Sequence, residues 1–221
     1  DVSVGELVDV VHILTHAAEL DVIYEESLFE YNLEASMKTI HKKLHAYEYA
    51  LTHEKDNTTL IYASNCSEIS TFLDDCMCSV NACMNSVYSA PHREVFSIAQ
   101  ATLQQWIESN AHFATVQAGY LRIRILFTCA RTARFLSSSV KHFKILDENW
   151  RNVIKHAKTE LKIASVYNSA ELCECLVLAL QAIQCVERDL RVHIRDQCVK
   201  FPKLYLLDID YLIHVYATLE P

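Results

Sequence analysis

Two glycines and three prolines in 221 residues leave this chain few of the residues from which tight turns are made. Average usage would supply roughly 15 and 11. Glycine reaches the positive-φ positions of hairpin turns and proline presets turn geometry, so their scarcity argues against an all-β fold and for long helices. It also excludes a glycine-rich phosphate loop. Neither Gly5 nor Gly119 has a second glycine within six residues, and nucleotide fingerprints need several glycines to bring backbone close to phosphate. Apolar residues at 51% and charged residues at 22% fit a globular protein of one to two domains. Twenty Lys and Arg against 28 Asp and Glu give a net charge of −8, a poor match to a general nucleic-acid binder.

The chain opens Asp1-Val2-Ser3-Val4 with no initiator Met and no signal peptide, and is expected to be a fragment of a longer polypeptide. The most apolar basic stretch, Tyr120 to Leu136, carries Arg122, Arg124, Arg131 and Arg134, too much charge for a membrane span. Nine cysteines are an odd number for a closed disulfide set. Cys76-x-Cys78-x4-Cys83 and Cys173-x-Cys175 lack the C-x2-C pairing of zinc sites. The thiols are expected to be free, mostly buried and reduced. Asn57-Thr58-Thr59 and Asn65-Cys66-Ser67 read as chance glycosylation matches.

Charge is unevenly placed. Residues 1–37 hold nine carboxylates and no Lys or Arg, whereas residues 121–144 hold six Lys and Arg and no carboxylate. Either these are two solvated faces, or the segments meet each other or an oppositely charged partner surface.

Helical periodicity is strong. Tyr24, Leu28, Tyr31 and Ala35 step by four, three and four, with Leu33, Met37, Ile40 and Leu44 beside them, which predicts a long helix over about 21–43 with a wide apolar stripe. Alternation at Tyr47, Tyr49 and Leu51, a polar Glu54-Lys55-Asp56-Asn57 and a β-rich run from Thr58 to Tyr62 predict a small hairpin. Asn65-x-x-Glu68 and Asn168-x-x-Glu171 resemble capping boxes. The first opens a helix with Ile69, Phe72, Leu73, Cys76, Val80 and Cys83 on one face, ending near Asn85-Ser86. The next helix, about 92–118, carries Val95, Ala99, Leu103, Trp106 and Phe113 on one side and stops at Gly119. Residues 121–144 read as a helix broken at Ser137-Ser138-Ser139, and 147–161 as a shorter helix holding Trp150. The longest helix, 169–199, has Leu172, Leu176, Ala179, Ile183, Val186, Leu190 and Ile194 in register. Val177, Leu178 and Leu180 widen that stripe, so grip from more than one side is expected. Phe201-Pro202 ends it and a last helix covers about 208–218. The expected fold is mainly α, an elongated helical bundle array with one small β-hairpin. Its parts are 1–90 (N-terminal helices plus hairpin) and 91–221 (helical bundle).

The residues offer little chemistry. His41 and His45 could share a helix face, but Lys42 stands where a zinc-protease motif needs Glu. Asp74-Asp75 has no third acidic ligand nearby. Nothing local activates Cys78 or Cys129, and Ser137-Ser138-Ser139 lacks the glycines of a nucleophile elbow. Trp106, Phe113, Phe143 and Trp150 read as core anchors. No catalytic, cofactor or metal residue is assigned.

Five ordered blocks carry a resemblance. Val4-Gly5-Glu6-Leu7-Val8-Asp9 is similar to L-G-x-L-L-D, and Leu33-Glu34-Ala35-Ser36-Met37 with Leu44 to L-E-K-x-L followed by a Trp. Leu60-Ile61-Tyr62, Glu68-Ile69 and Leu73-Asp74-Asp75 resemble Y-I-L, D-E-I and L-L-D-D. Phe143 to Arg151 resembles F-x-x-V-D-x-x-W-R, and Phe201 to Leu207, with Asp210 and Leu212, resembles F-P-R-F-x-F-L-S-N-D-E-L-L. Together they resemble the linker region of a dynein heavy chain over essentially all 221 residues. The M-x-G-S-P-Y segment is kept only at Met84, Ser86, Tyr88 and Pro91, and Phe113 replaces a Trp, as in a divergent member.

The resemblance implies a non-catalytic lever lying N-terminal to an AAA+ motor ring. That ring would bind ATP and Mg, and its nucleotide state would drive the lever and move cargo on microtubules. The implied partners are the ring in cis and, through the parent chain, intermediate and light intermediate chains and microtubules, with no nucleic acid and no membrane. The implied location is the cytoplasm and cytoskeleton, or a ciliary axoneme. Arg122, Arg124, Arg131 and Arg134 form the candidate interaction patch, and Trp106, Phe143, Trp150, Phe201 and Pro202 the family-motif core. Joints are expected at 85–91, 137–139 and 162–168. The alternative is a free-standing helical scaffold or adaptor that binds partner proteins through its stripes and patches.

Overall fold

The steps of three and four become long helices: α1 (Ala17–Ala46), α2 (Ala63–Met84), α3 (Arg93–Thr128), α4 (Val140–Thr159), α5 (Ile163–Tyr167) and α6 (Ala170–Lys200). The computed structural model describes residues 4–5, 16–53, 59–61, 63–128, 136–208 and 211–212. Between α1 and α2, strands β1 (Leu51–His53) and β2 (Thr59–Ile61) pair antiparallel, with Thr52 opposite Leu60. The fold is mainly α with one small hairpin, as the periodicity requires. Short 3-10 turns occupy Val87–His92, Ser137–Ser139 and Pro202–Leu206. Two units emerge, neither a single stretch of sequence: residues 1–44 with 75–103, and residues 45–74 with 104–221.

In the first unit, α1 has no buried residue. Tyr24 is 67% exposed and Tyr31 66%, so the predicted apolar stripe does not become core. Local pairs support the helix instead: Lys38 reaches Glu34 at 2.8 Å, and Phe29 stacks on Tyr88 at 5.0 Å. Cys76, Val80, Cys83, Phe96 and Leu103 supply the buried apolar surface, and Gln100 donates to Asn81 at 2.9 Å. Val95, expected on the buried side, is exposed, while the larger Phe96 is buried. Burying a ring removes more apolar area from water, and that sets the phase of the helix.

The second unit is built on α3 from Gln104 onward, α4 and α6. The predicted α6 stripe is buried along its whole length, from Leu172 to Ile194. α6 is held by α3, at Gly119 and Ile183, and by α4, but Val177 and Leu178 stay exposed and Leu180 is half-buried, so the widened part of the stripe is not core.

Gly119 does not end its helix. α3 continues through it to Thr128, and a Cβ added at Gly119 would lie 2.7 Å from Cδ1 of Ile183. Glycine fits there because the Ile183 side chain of α6 comes so close that any Cβ would have to displace it. Neither predicted capping box forms. α2 starts at Ala63, and Asn65, buried within it, accepts from the Ala50 N–H at 2.9 Å. At α6 the cap is Ser169, whose hydroxyl accepts from the Leu172 N–H at 3.3 Å. Asn168 accepts from the Trp106 indole instead, at 2.9 Å. In both cases a tertiary donor captured the asparagine. α4 begins at Val140, seven residues before the predicted start at 147. Phe201 and Pro202 do terminate α6. Of the predicted last helix, residues 208 and 211–212 are described; 211–212 are helical, and the Leu212 N–H donates to the Asp208 carbonyl at 2.9 Å.

Candidate functional site

An aromatic seam runs through the second unit. Trp106 meets Tyr167 edge-on at 6.0 Å, and Tyr167 meets Tyr49 edge-on at 6.1 Å. Tyr49 stacks on Phe113 at 5.6 Å, Phe113 meets Trp150 at 5.2 Å, and Trp150 meets Tyr120 at 5.7 Å. All six side chains are buried. Edge-to-face and offset contacts of this kind add to the gain from burial and fix ring orientation. α3 contributes Trp106, Phe113 and Tyr120, α4 contributes Trp150 and α5 contributes Tyr167.

Tyr49 arrives from the segment before the hairpin. That segment pairs with residues 161–163: the Tyr49 N–H donates to Leu161 at 2.7 Å and the Ile163 N–H to Tyr47 at 3.0 Å. The alternation seen in sequence thus sends Tyr49 inward.

Polar groups inside the seam lock it further. The Tyr167 hydroxyl donates to Asn110 at 2.9 Å, and the Tyr120 hydroxyl donates to Asp147 at 2.8 Å. Burial, then the Asp147 hydrogen bond, pushes the Tyr120 phenol up to about 12. Burial raises the Tyr49 and Tyr167 phenols well above their ordinary value. Groups so disfavoured for ionisation hold structure and are poor proton donors near neutral pH.

The expected joints differ in character. Residues 87–92 form a 3-10 turn in which the Ser86 hydroxyl accepts from Tyr88 and Ser89 donates to the Met84 carbonyl. At Ser137–Ser139, the Ser139 hydroxyl donates to Asp189 of α6 at 2.6 Å and Ser138 to the same carboxylate oxygen at 3.3 Å. Residues 163–167 hold Ile163, Ala164, Val166 and Tyr167 buried, so this turn is packed into the seam. In the 137–139 turn Ser139 is fully buried and the adjoining Leu136 packs into a cluster with Leu190 and Ile194, so the Asp189 hydrogen bonds add to packing.

Of the predicted basic patch, Arg122 forms an ion pair with Glu187 across α3 and α6. Arg124 lies near enough to Tyr120 to act on its ionisation. Arg131 and Arg134 lie outside the described residues. Of the family-motif core, Trp106 and Trp150 sit in the seam. Phe143 is half-buried and stacks on Phe127 at 4.5 Å. Phe201 is 63% exposed and Pro202 is exposed. Sequence reading missed Asp189, Asn168 and Gly119 as joining residues. A glycine in an unbroken helical pattern was the available signal for the last.

Eight cysteines are described, all free; Cys66, Cys76, Cys83 and Cys198 are buried and Cys78 is exposed. Among the described residues no three metal-ligating side chains converge, and no helix is long and apolar enough to cross a membrane.

A family model described as "Dynein heavy chain, N-terminal region 2" matches residues 1–219. The chain is 20% identical over 206 residues to human dynein axonemal heavy chain 6, covering 93% of this chain and 5% of that protein. It is 21% identical over 207 residues to mouse dynein axonemal heavy chain 1, covering 93% and 5%. It is 20% identical over 204 residues to human dynein axonemal heavy chain 12, covering 92% and 7%. The chain therefore spans only a small part of the length of these relatives.

Proposed function

Because the chain belongs to the family of the dynein heavy chain N-terminal region 2, we propose that it works as a non-catalytic linker, the lever segment of a dynein heavy chain. On this reading an AAA+ ring elsewhere in the parent binds ATP and Mg, and the segment converts the ring's nucleotide state into movement along microtubules. Its partners are that ring in cis and, through the parent, the associated chains and the track. The axonemal names of the relatives favour a ciliary cytoskeletal setting.

The supporting observation is the match across residues 1–219, and the aromatic seam gives it physical sense. A lever must resist bending, and interlocked rings in close-packed helices deform little. It must also have joints, and the Ser137–Ser139 turn before α4, held on Asp189 by the Ser138 and Ser139 hydroxyls, is the candidate.

Asp189→Ala in the complete heavy chain tests this. Losing hydrogen bonds to a charged group costs about 1.5–3 kcal/mol locally. In an optical trap the force delivered per ATP should fall while basal ATP turnover is kept. Force and turnover falling in proportion, or neither changing, would refute the lever reading. So would micromolar ATP binding by the 221-residue chain in calorimetry.

A further inference from the structure

Two features on one side of the second unit share residues. The first is a groove of about 600 Å³ between α3 and α6, lined by Ala114, Ala118, Leu180 and Ile183, with Arg122 and Glu187 also in its wall. Small side chains on α3 create the space, and Gly119 lets α6 approach beneath it. The second is a depression of about 310 Å³ along α6, lined by Arg188, Arg191, Arg195 and the apolar Val192. Glu187 belongs to both, so groove and depression are continuous along α6.

The three arginines step by three and four and share one helix face. Val192 is 52% exposed between them. Arg191 and Arg195 are exposed and have no ion-pair partner among the described residues. In a chain of net charge −8 this is a local reversal of sign.

We propose that this surface docks an amphipathic acidic helix of a partner polypeptide. One apolar side chain would seat in the Ala118–Leu180 groove, and carboxylates would face Arg188, Arg191 and Arg195. Spacing and charge carry the choice of occupant. Leu180, in the groove wall, and Arg191 are eleven residues apart, three turns of α6 and on the order of 16 Å at 1.5 Å per residue. Leu180 and the three arginines thus lie toward one face of α6, and a helix lying along it can present its anchor and its carboxylates together. Guanidinium groups bind carboxylates bidentately, and the apolar groove rewards burial of a side chain that a polyphosphate lacks. Glu187, Asp189 and Asp196 flank the arginine stripe, so a dense polyanion meets repulsion where a spaced carboxylate row does not.

The probe is a fluorescein-labelled helical peptide with Leu at position i and Glu at i+8, i+11 and i+15, assayed by anisotropy in both chain directions. Controls are its Gln-for-Glu counterpart, inorganic polyphosphate and phosphatidylserine vesicles. Binding should weaken about tenfold or more with R191E/R195E, and fall with rising salt. Ala118→Trp, which fills the groove, should weaken it without changing the salt slope. Circular dichroism and thermal melting verify that each variant is folded. Equal binding of the Gln peptide, tighter binding of polyphosphate or vesicles, or no binding at millimolar peptide would overturn the proposal. So would concentration-dependent self-association in sedimentation equilibrium that the same substitutions abolish, since a second copy would then be the occupant.

Discussion

Gly119→Ala sets two large effects against each other. In a helix interior, Ala is favoured over Gly by about 1 kcal/mol because it orders less backbone. Here the new methyl would meet Ile183 Cδ1 at 2.7 Å, Cγ2 at 3.2 Å and Cγ1 at 3.3 Å. Ordinary carbon contacts lie at roughly 3.5–4.0 Å. The Cδ1 methyl can rotate away, but Cγ2 is fixed by the β-branched stem and the side chain is 96% buried. Overpacking of this kind costs about 1–3 kcal/mol, so the net expectation is a loss of about 1 kcal/mol, or a fall in Tm of about 2–4 °C for a chain of this size. Urea denaturation followed by circular dichroism should show a lower midpoint with an unchanged slope. A double-mutant cycle sharpens the test. Ile183→Val removes Cδ1 at its own cost of about 0.5–1.5 kcal/mol, and in that background Gly119→Ala should cost about 1 kcal/mol less. Stabilisation by Gly119→Ala in both backgrounds, with the two changes strictly additive, would refute the tight approach of α3 and α6.

Two further expectations concern ionisation and thiol access. Tyr120 is held neutral in the fold to about pH 12, whereas an unfolded phenol ionises near about 10. Unfolding above pH 10 therefore releases a proton, and stability present below pH 10 is lost as pH rises toward 12. Tyr120→Phe should flatten that decline by about 1–2 kcal/mol, discounted for partial hydration, in denaturation series from pH 9 to 11.5. An unaltered decline would sink the assignment. Among the described thiols, Cys78 should react first with a maleimide, because it is exposed. Cys66, Cys76 and Cys83 should lag, since burial raises their thiols and the thiolate is the nucleophile. Mass-mapped labelling that modifies Cys66 before Cys78 would contradict the packing of α2.

The long helices were legible because apolar spacing of three and four is a property of the chain itself. α6 shows this best: Leu172 to Ile194 is buried as its period demands. The hairpin was legible for the same reason, as a switch to alternation. What was hidden lies between segments. Asn65 and Asn168 look like helix caps because the pattern is local, but donors at Ala50 and Trp106 claim them. Gly119 looks like a stop until α6 is placed against it. α1 shows that an apolar stripe does not guarantee a core, since none of its residues is buried. The arginine face at 188–195 escaped notice because carboxylates alternate with it along the chain, and only the helical turn separates the two.

The backbone pairing of 47–49 with 161–163 has a consequence for biosynthesis. At about 5–20 residues per second, a ribosome needs on the order of ten seconds to deliver Ile163 after Tyr47 has been made. Throughout that interval the segment at 47–49 lacks its backbone partner, and Tyr49 can meet Phe113 of α3 but not Tyr167. The nascent chain therefore carries an incomplete aromatic surface, a natural target for a cotranslational chaperone until α5 emerges and closes it.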